Sequence, residues 1–175
     1  MTYDLIIIGG GPGGVAAGVY AARKRLKTLF ITDTFGGQST DSETIQNWIG
    51  TVAISGIDFG KALKKHLESY ASDSVSIHET EKVLEISKNN NLFSVKTNKG
   101  NYESKTVLIA TGSHRRKLEI PGAKEYEGKG IVYCASCDAP LFGDKDVVII
   151  GGGNAAFDAA TQLLAYAKSV TLLNR

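Results

Sequence analysis

Histidine, cysteine and proline are scarce in this 175-residue chain, at three, two and three residues. The histidines, His66, His78 and His114, are scattered, and none stands at a ligand spacing from the two cysteines. A structural zinc site takes about four nitrogen or sulfur ligands, so zinc is disfavoured and no metal-binding residue is assigned. A strong charge of either sign is missing too. The net charge of +2 is too small to call for nucleic acid or an anionic membrane surface. The basic run Arg23-Lys24-Arg25 reads as a solvated helix end. No apolar run is long enough to span a bilayer. The start, Met1-Thr2-Tyr3-Asp4, has neither the basic region nor the cleavage site of a secretory signal. These absences leave an ordinary globular chain, 42% hydrophobic and 22% charged, and point to the cytoplasm. A disulfide there is more often catalytic than structural.

Glycine is what the chain has in quantity, 20 residues, and it is clustered. Tyr3 to Gly9 is a continuous apolar run, the pattern of a strand buried on both faces. It ends in Gly9-Gly10-Gly11-Pro12-Gly13-Gly14, which matches G-x-G-x-x-G at Gly9, Gly11 and Gly14. A helix over residues 13–24 and a strand over 27–32 complete a βαβ unit. In such a unit the first glycine permits a tight turn. The second lets backbone approach a pyrophosphate, and the third lets helix pack on strand. The phosphates sit at the helix N-terminus, where free N–H groups and the helix dipole favour anions. An acid is expected about 20 residues on, bonding a ribose hydroxyl. Thr32 or Asp33 holds that place, and counting along the strand favours Thr32.

The signature returns at Gly151-Gly152-Gly153-Asn154-Ala155-Ala156. It follows a strand over 146–150, opens a helix over 154–167 and precedes a strand over 169–173. It fits G-x-G-x-x-A. The last strand runs into Asn174 and Arg175. An acid there favours NAD, whereas arginine accommodates a 2′-phosphate, so this site leans to NADPH.

Between the two signatures, residues 34–50 lack periodicity and read as a loop. Ser55-x-x-Asp58 resembles a capping box opening a helix, whose apolar stripe is Phe59, Leu63, Leu67 and Tyr70. Residues 82–86, 92–97 and 102–110 alternate with asparagine- and glycine-rich turns, as a β-meander does. Leu118 to Gly122 (LEIPG) reads as a linker, and residues 130–133 as a further strand. The expected fold is α/β, with two Rossmann-like dinucleotide-binding domains. The first covers 1–117 and contains the meander; the second covers 123–175 and is incomplete.

Both cysteines lie in one Cys-x-x-Cys, Cys134 and Cys137. On the residues alone the pair is a redox dithiol, half a zinc site, or two inert thiols. Two dinucleotide sites and a dithiol make a complete electron path: nicotinamide, flavin, dithiol. A cysteine pair near a helix start is easier to ionise. Asp138 beside it serves either as a proton shuttle or as a helix cap.

Six segments carry a resemblance: IIIGGGPGG, FGGQ (35–38), QNWIG (46–50), IATG (109–112), CASCD and IGGGNAA. The chain resembles the low-molecular-weight thioredoxin reductases and the flavoprotein subunit of alkyl hydroperoxide reductase. CASCDAPLF and TDTFGGQ are closer to the second branch. Ala139 departs from the glycine usual in the family, and Thr32 from the ribose acid.

The resemblance implies FAD and NADPH as cofactors and a thioredoxin-like or peroxiredoxin-like protein disulfide as partner. Gly9, Gly11 and Gly14 would hold the FAD pyrophosphate, Thr32 or Asp33 would stand at the ribose, and Pro12 and Val83 would also be cofactor-binding. Gly37, Gln38 and Asn47 would contact the flavin, and Ala110, Thr111 and Gly112 would close over it. Cys137 would be the thiol next to the isoalloxazine, Cys134 the one that attacks the partner, and Asp138 their acid and base. Gly151, Gly153, Asn154, Ala155 and Ala156 would hold NADPH, with Arg175 on its 2′-phosphate. Family members continue well past this length and form homodimers, so the chain is expected to be C-terminally truncated. The alternatives are an inactive nucleotide-binding fragment, or a flavin-dependent reductase of another acceptor.

Overall fold

The computed structural model describes residues 2–113 and 116–174. The chain divides into two compact units, Met1–His114 and Arg115–Arg175.

In the first unit β1 (Thr2–Gly10), α1 (Pro12–Arg23) and β2 (Thr28–Phe35) form the βαβ start. α2 (Gly56–Ala71) leads to β3 (Val75–His78), and β4 (Val83–Asn89), β5 (Leu92–Thr97) and β6 (Asn101–Ile109) form the meander. The six strands make one sheet in the order β3-β2-β1-β6-β5-β4. The first four pair in parallel, and β5 pairs antiparallel with both β6 and β4. β6 is therefore both the last strand of the meander and the parallel neighbour of β1.

The apolar run of β1 has the burial it predicts. Ile7 points to one side, into a core with Val15 and Val19 of α1, Phe30 of β2 and Leu67 of α2. Ile6 and Ile8 point to the other side and join Leu29, Ile31 and Val95 of β5. Each fully buried side chain of this kind contributes about 1.5–3 kcal/mol, so this strand anchors both layers. Gly18 lets α1 approach β2 and α2: a Cβ there would press on Leu67 and the Phe30 ring.

Ser55 caps α2, accepting from the Asp58 N–H at 3.1 Å. Asp58 is one methylene shorter than the glutamate of a full capping box. Its carboxylate meets the Ser55 hydroxyl instead, at 2.8 Å. β2 runs on to Phe35, and residues 37–41 form a 3₁₀ turn, so part of the expected loop is ordered backbone. β3 was not legible from its four residues; its parallel pairing with β2 makes it a strand.

The second unit contains α3 (Ala123–Tyr126), α4 (Ala135–Asp138), a 3₁₀ turn over 139–142, β7 (Asp146–Ile150), α5 (Asn154–Leu163) and β8 (Ser169–Leu173). β7 and β8 pair in parallel across α5. The expected strand at 130–133 does not form. Ile131 makes only a single bridge to Glu127, because no neighbouring strand among the described residues extends the ladder. α5 is also shorter than expected, ending at Leu163. The Leu118 N–H donates to the Tyr133 hydroxyl at 3.0 Å, which ties the LEIPG segment to the second unit.

Candidate functional site

The chain leaves β1 for β2 and β3 on one side, then returns to β6 on the other. β1 is therefore the point where strand order reverses, and ligands of open α/β sheets bind outside the carboxyl ends of the strands at such a point. A cavity of about 1100 Å³ lies there. Its walls include Ile8 to Gly13, Ile31 to Thr34, Gly36 to Asp41, Glu81 to Ile86 and Ile109 to Ser113. Gly9, Gly11, Pro12, Thr32, Asp33, Gly37, Gln38, Val83, Ala110, Thr111 and Gly112 thus come together from separate stretches of sequence.

The three glycines of the first signature have three different environments. Gly9 sits at φ +117°, and a Cβ on it would collide with the Ala110 carbonyl. A Cβ on Gly14 would collide with the Gly9 carbonyl, so this residue sets the approach of α1 to β1 rather than lining the cavity. Gly11 has nothing within 4 Å of its would-be Cβ and opens onto the cavity. It is the N-cap of α1 with no side-chain cap, Pro12 follows at the helix start, and the first turn has no acid. Uncompensated N–H groups and a positive dipole end therefore face open space. A pyrophosphate fits this cradle, and a dinucleotide fits a cavity just above the usual ligand-pocket range of about 300–1,000 Å³.

The place where an acid is expected for a ribose hydroxyl holds two residues in different settings. Thr32 is buried and its hydroxyl donates to the Thr34 carbonyl at 2.7 Å, so its proton is used within the strand. Asp33 is exposed at the cavity edge, where its carboxylate pairs with Lys82 Nζ at 3.1 Å. Asn47 is not among the lining residues. It lies exposed in the loop closed by the Ile45–Ile54 bridge, and its neighbour Trp48, also exposed, sets its ring against Phe59 with centroids 4.8 Å apart.

One wall was missed by sequence reasoning. Glu81 is buried, and its carboxylate accepts from the Thr97 hydroxyl and faces His78 Nδ1 at 3.0 Å. Tyr102 Oη lies 3.3 Å from the same nitrogen. Burial pushes the Glu81 carboxyl up, but hydrogen bonds from Thr97, Tyr102 and His78 outweigh it and hold the group below its ordinary value. The Glu81 N–H donates to the Thr32 carbonyl at 3.1 Å, and Lys82 exchanges bonds with Asn98, so this edge is fastened to both β2 and the meander. The pattern Glu81-x-Val83 has no periodicity to flag it, and His78 alone looks like a surface residue.

In the second unit the glycine turn repeats the first. Gly151 has φ +139°, Gly153 is an uncapped N-cap with open space beside it, and the first turn of α5 lacks an acid. A Cβ on Gly10 would meet the Thr32 hydroxyl, and one on Gly152 would meet the Asn174 amide. Asn174 therefore stands where Thr32 stands in the first unit. Asn154, Ala155 and Ala156 form the first turn of α5. Arg175 lies outside the described residues.

Cys134 and Cys137 form a disulfide, with Cα atoms 5.3 Å apart. Cys134 is the N-cap of α4, half-buried, and Cys137 lies inside the turn, exposed. The N–H groups of Cys137 and Asp138 both donate to the Cys134 carbonyl, at 3.1 and 2.9 Å. Asp138 is thereby fixed in the same turn as the sulfurs. Among the described residues no group of three or more histidine, cysteine, aspartate or glutamate side chains is placed to hold a metal. No helix among them is long and apolar enough to cross a membrane.

Comparison with known proteins agrees with this arrangement. A subunit of the alkyl hydroperoxide reductase of Pseudomonas aeruginosa is 37% identical over 98% of this chain, which spans 33% of that protein. A Bacillus subtilis protein named NADH dehydrogenase is 36% identical over 98% of the chain, again spanning 33% of its length. The crystal structure of thioredoxin reductase from Streptococcus pyogenes superposes with a TM-score of 0.86 at 37% identity, covering 98% of this chain and 55% of that one. The pattern of one family, described as pyridine nucleotide-disulphide oxidoreductase, matches residues 3–175. With its two glycine turns and its disulfide, the chain belongs to the pyridine nucleotide-disulphide oxidoreductase family.

Proposed function

We propose that the chain carries the electron path of a flavoprotein disulfide reductase, from NADPH through FAD and Cys134–Cys137 to a protein disulfide. The observation that carries this reading is a disulfide closing a one-turn helix in the same chain as a dinucleotide-sized cavity at a glycine turn. FAD, when bound, supplies a carrier that accepts hydride from a nicotinamide and delivers two electrons to a disulfide.

The chain's own residues have separate tasks. Gly11 and the first N–H groups of α1 bind pyrophosphate, and Asp33 or Thr32 takes the ribose. Gly37, Gln38, Thr111 and Gly112 orient the flavin end, and Asn47 joins them by resemblance to the family. Gly151, Gly153 and the start of α5 hold NADPH. Reduction of Cys134–Cys137 breaks its S–S bond and leaves two thiols. The Cys134 thiolate attacks the partner's disulfide, forming a mixed disulfide and releasing one partner thiol. The Cys137 thiolate then attacks Cys134, re-forming the internal disulfide and freeing the second partner thiol. Asp138 holds and moves the protons of these exchanges. The partner is a thioredoxin-like or peroxiredoxin-like protein, the compartment is the reducing cytoplasm, and the assembly is a homodimer.

The test separates the two sulfurs. Reduced Cys137→Ser, mixed with oxidised thioredoxin or peroxiredoxin, should accumulate a one-to-one mixed disulfide through Cys134, visible on a non-reducing gel. Cys134→Ser should not. Absence of any mixed disulfide from either variant would remove the basis for this reading. Asn174 and Arg175 favour NADPH; because one relative is named NADH dehydrogenase, both nucleotides belong in the titration. NADPH should bind more tightly by about 1.5–3 kcal/mol, the worth of a charge-assisted bond to its phosphate. Equal affinities would refute the preference.

A further inference from the structure

The redox turn has little internal support. α4 is four residues long, and helices of that length do not hold themselves in water. Its exposed side is tied to a different element. Ser136 lies between the cysteines, and its hydroxyl donates to Gln162 Oε1 at 2.9 Å. Gln162 Nε2 in turn donates to Asp158 Oδ2 at 2.8 Å. Asp158 and Gln162 are four residues apart on α5 and so share one helix face. An ionised carboxylate only accepts hydrogen bonds. It therefore faces the amide NH₂ of Gln162 and turns the amide oxygen toward Ser136. One charge sets the direction of the whole relay.

We propose that Gln162, oriented by Asp158, is a positioning residue for the redox disulfide: it clamps Ser136 and keeps the turn in the geometry where the two sulfurs meet. The inference rests on the reading of Cys134–Cys137 as a redox pair. Reduction breaks the S–S bond, adds two electrons and two protons, and removes the one covalent link that closes the turn. The clamp survives that step. A turn still held closed keeps its thiols at high effective concentration and re-forms the disulfide readily. The disulfide holds the oxidised turn closed, so the clamp is made there in full, whereas the reduced turn makes it only while it stays closed. Loss of the clamp therefore costs the oxidised turn more than the reduced one, and the equilibrium moves toward the dithiol.

The experiment equilibrates the 175-residue chain with mixtures of reduced and oxidised glutathione and counts free thiols by alkylation and mass. Two glutathione thiols supply the two electrons and two protons and leave as glutathione disulfide. Gln162→Met and Ser136→Ala should each shift the constant toward the dithiol by about 2- to 10-fold, the net worth of one hydrogen bond. The double variant should shift it no further than either single one, since both break the same contact. Ser136→Thr keeps the hydroxyl and should keep the parent constant, whereas Asp158→Asn presents an NH₂ group as well as an oxygen to Gln162, no longer fixes its amide, and should shift the constant in the same direction by a smaller factor. Ser136 is exposed, and circular dichroism confirms that its variants fold. A constant unchanged in Gln162→Met and Ser136→Ala, or shifts that add in the double variant, overturns the inference and leaves the redox reading standing. A parent disulfide that does not exchange with glutathione overturns both.

Discussion

Glu81 fastens one wall of the cavity. It is a buried carboxylate with three hydrogen-bonding neighbours, and its peptide N–H reaches β2. A buried charge survives only where such partners offset its desolvation. The net effect holds its carboxyl below the ordinary value of 4.5. The folded state therefore binds the proton less readily than the unfolded chain. The stabilisation is fully present above the unfolded value and is lost as pH falls through the folded one. Glu81→Gln puts an NH₂ group where neighbours donate, and should cost about 1–3 kcal/mol at pH 7 in urea titrations. The gap between variant and parent should narrow as pH drops below 4.5. A gap that stays constant on acidification would mean the charge is not what Glu81 contributes.

The three longer helices begin in two different ways. α2 has a serine cap and an aspartate in its first turn, the pattern that stabilises a helix end. α1 and α5 begin on bare glycine, with no side-chain cap and no acid. An end left uncompensated beside a cavity is an anion site, whereas a capped one is a structural terminus. Gly11→Asp separates the two roles. Its backbone lies in the extended region and its Cβ would meet nothing, so the fold should keep its stability or gain a few tenths of a kcal/mol. Its carboxylate would occupy the phosphate position, so FAD affinity should fall by at least tenfold, about 1.4 kcal/mol, in fluorescence titrations. Retained flavin binding in a folded Gly11→Asp chain would place the pyrophosphate elsewhere.

Across the whole molecule the two units differ in what they offer a ligand. Every residue lining the large cavity belongs to Met1–His114. Binding stabilises the state that binds, by RT ln(1 + [L]/Kd). FAD should therefore slow amide exchange in β1, α1, β2 and β6 and leave β7, α5 and β8 unchanged. NADPH should produce the opposite pattern, protecting the start of α5. Hydrogen exchange with mass detection reads both. Protection of α5 by FAD alone would contradict the division of labour between the glycine turns.

The sequence by itself determined the two βαβ units and the positions of their glycine turns. Buried parallel strands need unbroken apolar runs, and phosphate turns need glycine, so Ile6 to Gly14 and Val147 to Ala156 announce themselves in one dimension. It also put both cysteines in one Cys-x-x-Cys, but left a redox dithiol, half a zinc site and two inert thiols open; the structure closes the pair as a disulfide. The tertiary structure decided what depends on a distant neighbour. Four residues of β3 are a strand because β2 lies beside them, and residues 130–133 are not, because no neighbouring strand among the described residues extends the Ile131 bridge. Thr32 turned its hydroxyl into its own strand and left Asp33 at the cavity edge. Asn47 stayed outside the cavity while Glu81 entered its wall. Hydrogen bonds between side chains far apart in sequence, Glu81 to Thr97 and Ser136 to Gln162, leave no periodic trace, since periodicity records which face of an element is buried and not which polar groups meet.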